Sequence, residues 1–351
     1  MATSAPLTTV ATYGRAGSSS RVRIHDWITH LGLSTTNYDY LGTPNLFGRT
    51  VMANWTRIPA AEARIRLAGR SRRIDNLLMS REATPFSRGG VETRLLRRAK
   101  HSSYDFDDAI WADDRGGIHR LLSKPRVWAR SVAAADCVIA GSDYLANAAA
   151  RFNSNVVMIP SCVEPDMYEC PSSYELDESP ALVWLGSPTT EHHLTAITDA
   201  LLQLNKRRGA RLKVISSGDR PLGPLAAMTD RIAWNLDDFT KHLSMSAVGL
   251  APLREDPYSA GKCAYKLLQY GAAGLPIVAS PVGANREVVD ALGGLAATSQ
   301  SEWVDAVGSI LDASAESRAA MGRRARNGVC EGYSFAAWSA QWRNAVLDHS
   351  S

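Results

Sequence analysis

An α/β protein built on two successive parallel sheets is what three features of the sequence predict. Short apolar runs alternate with helical patterns from end to end, which is the signature of repeated strand–helix–strand units. The chain has 351 residues, more than one ordinary domain and suited to two of about 150 to 180. Between the halves, residues 164–180 are rich in Pro, Ser, Glu and Asp, and their apolar positions follow no period, so they read as a linker.

In the first half the expected strands are Leu7–Tyr13, Thr36–Leu41, Ile74–Ser80, His101–Phe106, Cys137–Ser142 and Val156–Pro160. Helical spacing of apolar residues marks Arg21–Leu31, Glu92–Ala99, Arg126–Ala134 and Tyr144–Phe152 between them. The second half restarts with strands at Ala181–Leu185, Leu212–Ser216, Arg231–Trp234, Val248–Pro252, Pro276–Ser280 and Gly294–Ala297. Pro276–Ser280 is a continuous apolar run, as expected of a strand covered on both faces. The tail, Tyr333 to Leu347, reads as a helix with Trp338 and Trp342 four apart.

Composition narrows the class. Hydrophobic residues make up 45% and charged residues 21%, ordinary for a protein with a sizeable core. A net charge of +4 permits an anionic ligand without requiring nucleic acid. The five cysteines are scattered and lack C-x-x-C spacing, which fits a reducing, cytoplasmic compartment better than a disulfide framework or a zinc site. No signal peptide is evident in MATSAPLTTVATYG, and no apolar run reaches spanning length.

The most informative stretch is Pro252 to Val289. Asp256-Pro257-Tyr258-Ser259 is a turn-rich approach, Cys263 to Ala273 is predicted to be a helix, and Gly274 ends it. A glycine, Gly261, just ahead of that helix, with Lys262 in its first turn, would form an anion site from free N–H groups, the helix dipole and an ammonium. This segment resembles the donor-binding half of family-4 GT-B glycosyltransferases (glycosyl transferases group 1). Their Glu-x7-Glu motif is replaced here: Gly261 and Gln269 stand where the two glutamates are expected. The closer resemblance is to a branch with Gly-Lys-Cys, Lys-Leu-Leu-Gln-Tyr and Ala-Ala-Gly, residues 261–263, 266–270 and 272–274 of this chain.

The resemblance implies a GT-B fold, two Rossmann-like domains facing each other across a cleft. It assigns 1–163 to an acceptor domain with the helix 333–351 crossing back to it, and 181–332 to a nucleotide-sugar donor domain. Gly186 and Ser187, in the turn after the first donor-domain strand, are then placed to offer backbone N–H groups to a diphosphate; an ordinary strand-to-helix turn is the alternative. The arginine and lysine usual after that glycine are missing, and Lys262 and Lys266, four apart on one helical face, are expected to replace them. Ser217, Trp234 and Asn235 correspond to loops flanking the phosphates and base, although Trp234 reads equally as a core aromatic. Tyr258, Ser259 and Cys263 belong to the same donor pocket, and the Gln269 amide would accept from the ribose hydroxyls.

In the first half, Gly17, Ser18, Ser19 and Arg23 follow the opening strand and are assigned to the acceptor side, with a surface position the alternative for Arg23. Tyr104-Asp-Phe-Asp-Asp-Ala-Ile110 is a second match to the same branch, and its clustered carboxylates suit a hydrogen bond to a sugar hydroxyl or removal of its proton. Asp107 and Asp108 are the candidate catalytic residues, in the absence of the histidine usual there. Asp105-x-Asp107 also mimics a pair that holds a divalent cation in another glycosyltransferase fold. Arg81 and Glu82 also match the branch, with an ion pair between them as the alternative. Arg57 to Arg73 carries Arg57, Arg64, Arg66, Arg70, Arg72 and Arg73 against Glu62, a basic helix suited to weak contact with an anionic membrane surface or to plain solvation.

The expected activity is transfer of a sugar from a nucleoside diphosphate sugar, UDP- or GDP-linked, to an acceptor hydroxyl on a natural product, lipid or polysaccharide. The resemblance implies retention at the anomeric carbon, no metal and no other cofactor. Two further classes stay open: a GT-B epimerase or phosphorylase, and an inactive nucleotide-binding subunit.

Overall fold

The computed structural model describes residues 7–15, 17–43, 53–68, 74–112 and 124–347. The chain divides into two compact units, each organised around one sheet of six strands.

The first unit comprises residues 1–161, 261–263 and the chain from Trp338 onward. Its strands are β1 (Leu7–Ala11), β2 (Thr35–Asp39), β3 (Ile74–Ser80), β4 (Ala99–Phe106), β5 (Cys137–Ala140) and β6 (Val156–Met158), in the order β2-β1-β3-β4-β5-β6. Every neighbouring pair is parallel. The central strands are apolar and buried, β5 at all four positions, as a sheet covered on both faces requires.

The helix after β1 runs through Ser18–Ser20, Arg21–His25 and Asp26–Leu31, and its middle section is widened to π spacing. Four consecutive residues there, Val22, Arg23, Ile24 and His25, are buried. Gly32, in the left-handed region at φ 62°, ends the helix.

The second unit comprises residues 162–260 and 264–337. Its strands are β7 (Ala181–Leu185), β8 (Arg211–Ser216), β9 (Thr229–Ala233), β10 (Val248–Ala251), β11 (Ile277–Ala279) and β12 (Leu295–Ala296), ordered β12-β11-β10-β7-β8-β9 and all parallel. Counted from β7 this is the 3-2-1-4-5-6 order of a doubly wound sheet. Alternation along β7 feeds two cores: Leu182 and Trp184 join one, Val183 and Leu185 the other.

Residues 164–180, read from sequence as a linker, pack on the second unit. Tyr174 donates its hydroxyl to the Gly274 carbonyl at 2.7 Å, and Arg318 Nε donates to the Tyr174 carbonyl at 2.9 Å. Val163 and Ser334 form a parallel bridge, with Val163 N–H on the Tyr333 carbonyl (3.0 Å) and Phe335 N–H on that of Val163 (3.2 Å). The chain therefore enters and leaves this unit side by side.

The last helix, Phe335–Val346, passes into the first unit at Trp338. There Trp342 stacks on Trp27 with centroids 5.2 Å apart and planes 13° from parallel. The Ala345 carbonyl, at the helix end, accepts from His101 Nε2 (2.9 Å) and Ser103 Oγ (2.5 Å). Both tryptophans are 1% exposed, so Trp342→Ala is expected to destabilise the first unit by about 3–5 kcal/mol. Unfolding followed by a probe specific to that unit checks this.

Candidate active site

In a doubly wound sheet ligands settle beyond the carboxyl ends of the strands where the winding reverses. In the second unit that point lies between β7 and β10, so the loops after Leu185 and Ala251 flank it. Gly186 opens the first of them. A Cβ at Gly186 would lie 2.5 Å from the Trp184 ring and 2.9 Å from Lys266 Cε, so only glycine fits. The Lys266 ammonium stands 5.3 Å from the Trp184 ring centroid, a cation–π contact that holds it beside this turn. Lys266 thus supplies the positive charge that the loop itself lacks.

The segment after Ser187 is a 3₁₀ helix, Pro188–Ile197, rather than the expected α-helix from Thr190; the α-helix follows at Thr198–Arg208. Ser187 is exposed and its hydroxyl is within 3.0 Å of Thr189 Oγ1. Glu191, 4% exposed, accepts from Ser216 Oγ at 2.6 Å and from Arg231 Nη2 at 2.9 Å. Arg231 also donates to the Gly218 carbonyl at 3.0 Å. Burial works to raise the Glu191 pKa, but the Arg231 and Ser216 hydrogen bonds outweigh it, and the net shift is downward. This charged clasp ties the loop after β7 to the loop after β8, leaving Ser217 exposed between them.

Trp234 is half-buried against Phe239, centroids 6.3 Å apart, and contributes to the core. Asn235 Oδ1 accepts from Asp237 N–H at 3.1 Å and so closes a turn. Beyond β10, Asp256 accepts from both the N–H and the hydroxyl of the buried Ser259 at 2.8 Å, so Asp256 caps the short helix Pro257–Ala260. Tyr258 is half-buried beside it, and Gln269 is buried on the helix Tyr265–Ala272. His193, 5% exposed, accepts the Arg254 N–H at Nδ1 (3.4 Å), joining the loops on either side of the winding reversal.

The expected helix start at Cys263 is corrected. The helix begins at Tyr265, because Ala264 sits in the left-handed region at φ 52° and interrupts it. Lys262 is therefore not in a first helical turn and shares no helical face with Lys266. Residues 261–263 pack with the first unit. A Cβ at Gly261 would meet the Ala109 backbone nitrogen at 2.6 Å, and Cys263 donates its thiol to the Asp107 carbonyl at 3.1 Å. Burial pushes the Cys263 thiol pKa up, with Asp107 adding to it, so this sulfur stays protonated.

In the first unit the order β2-β1-β3 puts the reversal between β1 and β3. The loop after β1 and Arg81–Glu82 after β3 flank it. A Cβ on Gly14 would meet the Gly42 backbone at 2.7 Å, so this turn admits no side chain there. Gly17 N–H bonds the Gly14 carbonyl at 2.8 Å, Ser18 is exposed and Ser19 half-buried. Arg81 and Glu82 do not pair with one another. Glu82 takes Lys124, while Arg81 Nη2 reaches Asp108 Oδ2 at 2.6 Å and its Nε lies 3.9 Å from Asp107 Oδ1. Lys262 Nζ holds the other Asp108 oxygen at 2.7 Å.

Arg23 is neither at the surface nor open to a ligand through its whole fork. It is 1% exposed, donates to Asp105 at 2.7, 3.0 and 3.1 Å, and donates to the Ile159 carbonyl at 3.0 Å. Burial alone would lower its pKa; the Asp105 carboxylate reverses that, so Arg23 stays charged. Both Asp105 oxygens accept from the guanidinium, so the Asp-x-Asp spacing does not present two free carboxylates. Asp108 shows the opposite balance from a simple buried acid. Burial raises it, Lys262 and then Arg81 pull it down, and the net pKa is below the ordinary value.

In the basic segment, Arg66 pairs with Glu62 at 2.8 Å and Arg64 donates to the Tyr40 carbonyl at 3.2 Å. Trp55, 70% exposed, sits two residues before Arg57. Arg70, Arg72 and Arg73 lie outside the described residues. Among the described residues no helix is long and apolar enough to cross a membrane.

Substitutions at three positions test the polar centre. Arg23→Leu is expected to cost about 3–5 kcal/mol by leaving Asp105 buried without its partner, and Arg23→Leu/Asp105→Leu to recover much of that; denaturant titration of both decides. Because its folded pKa is depressed, the Asp108 contribution is present above the unfolded carboxylate value of ~3.9 and lost as the pH falls below it. The stability gap between wild type and Asp108→Asn should therefore close in acid, read as unfolding midpoints against pH.

Comparison with known proteins follows the same division. Residues 179–313 match the family model of glycosyl transferases group 1. No curated protein sequence matches. The fold is shared with sucrose-phosphate synthase from Thermosynechococcus elongatus (13% identity, 97% of each chain, TM-score 0.71). It is also shared with WaaG, a glycosyltransferase involved in lipopolysaccharide biosynthesis (15% identity, 97% of this chain and 99% of that one, TM-score 0.68). Anabaena HepE, solved with UDP and glucose, is similar over 97% of this chain and 99% of its own (12% identity, TM-score 0.68). The chain thus has the GT-B fold of these structures, and residues 179–313 within it match the group 1 glycosyl transferase model.

Proposed function

We propose that the chain moves a sugar from a nucleoside diphosphate sugar to an acceptor hydroxyl, with retention at the anomeric carbon and without a metal ion. The observation that carries this reading is the group 1 match on a unit whose 3-2-1-4-5-6 strand order sets the Gly186 turn and Lys266 at the winding reversal. An exposed backbone turn beside a fixed ammonium suits a diphosphate.

In the reaction the bond from the anomeric carbon to the β-phosphate oxygen breaks, and its electron pair leaves with the diphosphate. The acceptor oxygen bonds that carbon and gives up its proton. Lys266 and the turn at Gly186–Ser187 stabilise the leaving charge, which is where electrostatic help lowers the barrier most. Ser217 and the segment Trp234–Asn235 border the nucleoside, and Gln269 takes the ribose hydroxyls. The acceptor is held by the first unit around Gly17–Ser19, Arg81 and the Asp107–Asp108 pair. UDP is the favoured donor nucleotide, because HepE is a structural neighbour solved with UDP; GDP is the second. The acceptor is a natural product, a glycolipid or a polysaccharide, and five scattered cysteines without C-x-x-C spacing suit a cytoplasmic site.

A thermal-shift panel of UDP-, GDP-, ADP- and dTDP-sugars is expected to give one selective stabilisation, about 2.7 kcal/mol at a hundredfold excess over Kd. No shift with any of them sinks the proposal. Lys266→Ala should weaken that binding about tenfold or more, and EDTA should leave turnover intact; activity lost to EDTA and restored by Mn²⁺ would overturn the metal-free mechanism.

A further inference from the structure

One surface helix of the first unit, Ile58–Leu67, is apolar on both of its faces. Ala61 and Ile65 are buried and join the core of this unit, with Ala68 just beyond the helix end and Ile58 packed against them. Steps of three and four residues turn these four to one side. At about 3.6 residues per turn, the opposite side carries Pro59, Ala60, Ala63 and Leu67, all of them exposed. An ordinary surface helix turns polar residues outward. Here Arg64 and Arg66 stand only at the two borders of an outward apolar strip.

Bulky apolar groups gather around that strip. Trp55, in the turn leading into the helix, is 70% exposed, and Leu67, at its end, is 53% exposed. Phe86 is exposed as well, and its loop is tied to the same helix. The Thr84 hydroxyl donates to Glu62 and accepts the Phe86 N–H at 3.1 Å. An apolar patch with a polar rim marks a surface that meets another.

Charge identifies the partner. From Arg57 to Arg73 the sequence holds six arginines against Glu62 alone, and Glu62 is already engaged by Arg66 and Thr84. A second copy of this face would set arginines against arginines, because a two-fold interface repeats the same patch. A nucleic acid would satisfy the arginines and leave the outward apolar strip without a partner. An anionic bilayer satisfies both at once, taking indole and leucine at the headgroup boundary and guanidinium groups at its phosphates.

We propose that this face of the first unit lies on an anionic lipid bilayer, with Trp55 and Leu67 entering the headgroup boundary and the arginines meeting the lipid phosphates. The helix lies along the surface, since among the described residues no helix is long and apolar enough to cross a membrane. Such docking does not depend on the transferase reading.

Co-sedimentation of the full chain with phosphatidylcholine vesicles, with and without phosphatidylglycerol, tests this. Binding is expected to the vesicles containing phosphatidylglycerol alone, and to weaken as salt rises. Trp55→Ser/Leu67→Ser should reduce it about tenfold or more, and Arg57→Gln about fivefold. Melting temperatures should stay near wild type, because all three side chains are exposed. Equal binding to both kinds of vesicle, binding to neither, or binding that survives the loss of Trp55 and Leu67 would overturn the proposal. So would self-association of the wild-type chain, seen by light scattering and abolished by the same pair of substitutions, which would assign the face to a second copy instead.

Discussion

The polar centre of the first unit depends on one buried ion pair, Arg23 with Asp105. Each partner is 1% exposed, and an isolated charge at such a depth is costly. The pair brings three pieces of chain together: the helix after β1, the end of β4 and, through the Ile159 carbonyl, the segment after β6. Arg23 reaches that depth from a helix section with π spacing, which buries four side chains in a row. Asp107 and Asp108 follow two and three residues beyond the clamped Asp105, so their place is set by an interaction neither of them makes. Replacing such a pair with apolar residues need not lower stability; its value here lies in orienting the carboxylates that follow.

The second unit solves a related problem with a different clasp. Loops beyond strand ends are the least constrained part of an α/β domain, yet here those after β7, β8 and β10 are tied to one another. Glu191, Ser216, Arg231 and Gly218 join the loops after β7 and β8, and His193 joins the loop after β7 to that after β10. Lys266 is steadied over Trp184 from the helix side. The cations near these loops come from β9 and from the helix Tyr265–Ala272, not from the loop after Gly186.

That arrangement explains what the sequence revealed and what it hid. Strands are legible because apolar runs in parallel sheets are buried on both faces: Ile74–Ser80 and Ala181–Leu185 match to the residue. The glycines that permit close approach, Gly186 and Gly261, are legible from their place in a resembling motif. Partners distant in sequence are not. Nothing local ties Arg23 to Asp105, 82 residues on, or Lys262 to Asp108, 154 residues back. Nor does anything local tie Arg231 to Glu191, 40 residues apart. The helix start at Tyr265 was missed because alanine gives no warning of a left-handed conformation.

That last point bears on how the two lysines divide their work. Among the described residues only Arg81 and Ala264 adopt positive φ without being glycine. Each such residue costs about 1–2 kcal/mol, and such outliers gather where position matters more than stability. Arg81 contacts Asp107 and Asp108, and Ala264 directly follows the segment that carries Lys262. Had Ala264 been helical, Lys262 would have lain one turn ahead of Lys266 on the same face, and the second unit would have held both charges. The left-handed turn separates them: Lys262 is given to Asp108 in the first unit, and Lys266 remains with the Gly186 turn in the second. Within five residues the segment thus places two cations, Lys262 in the first unit and Lys266 in the second.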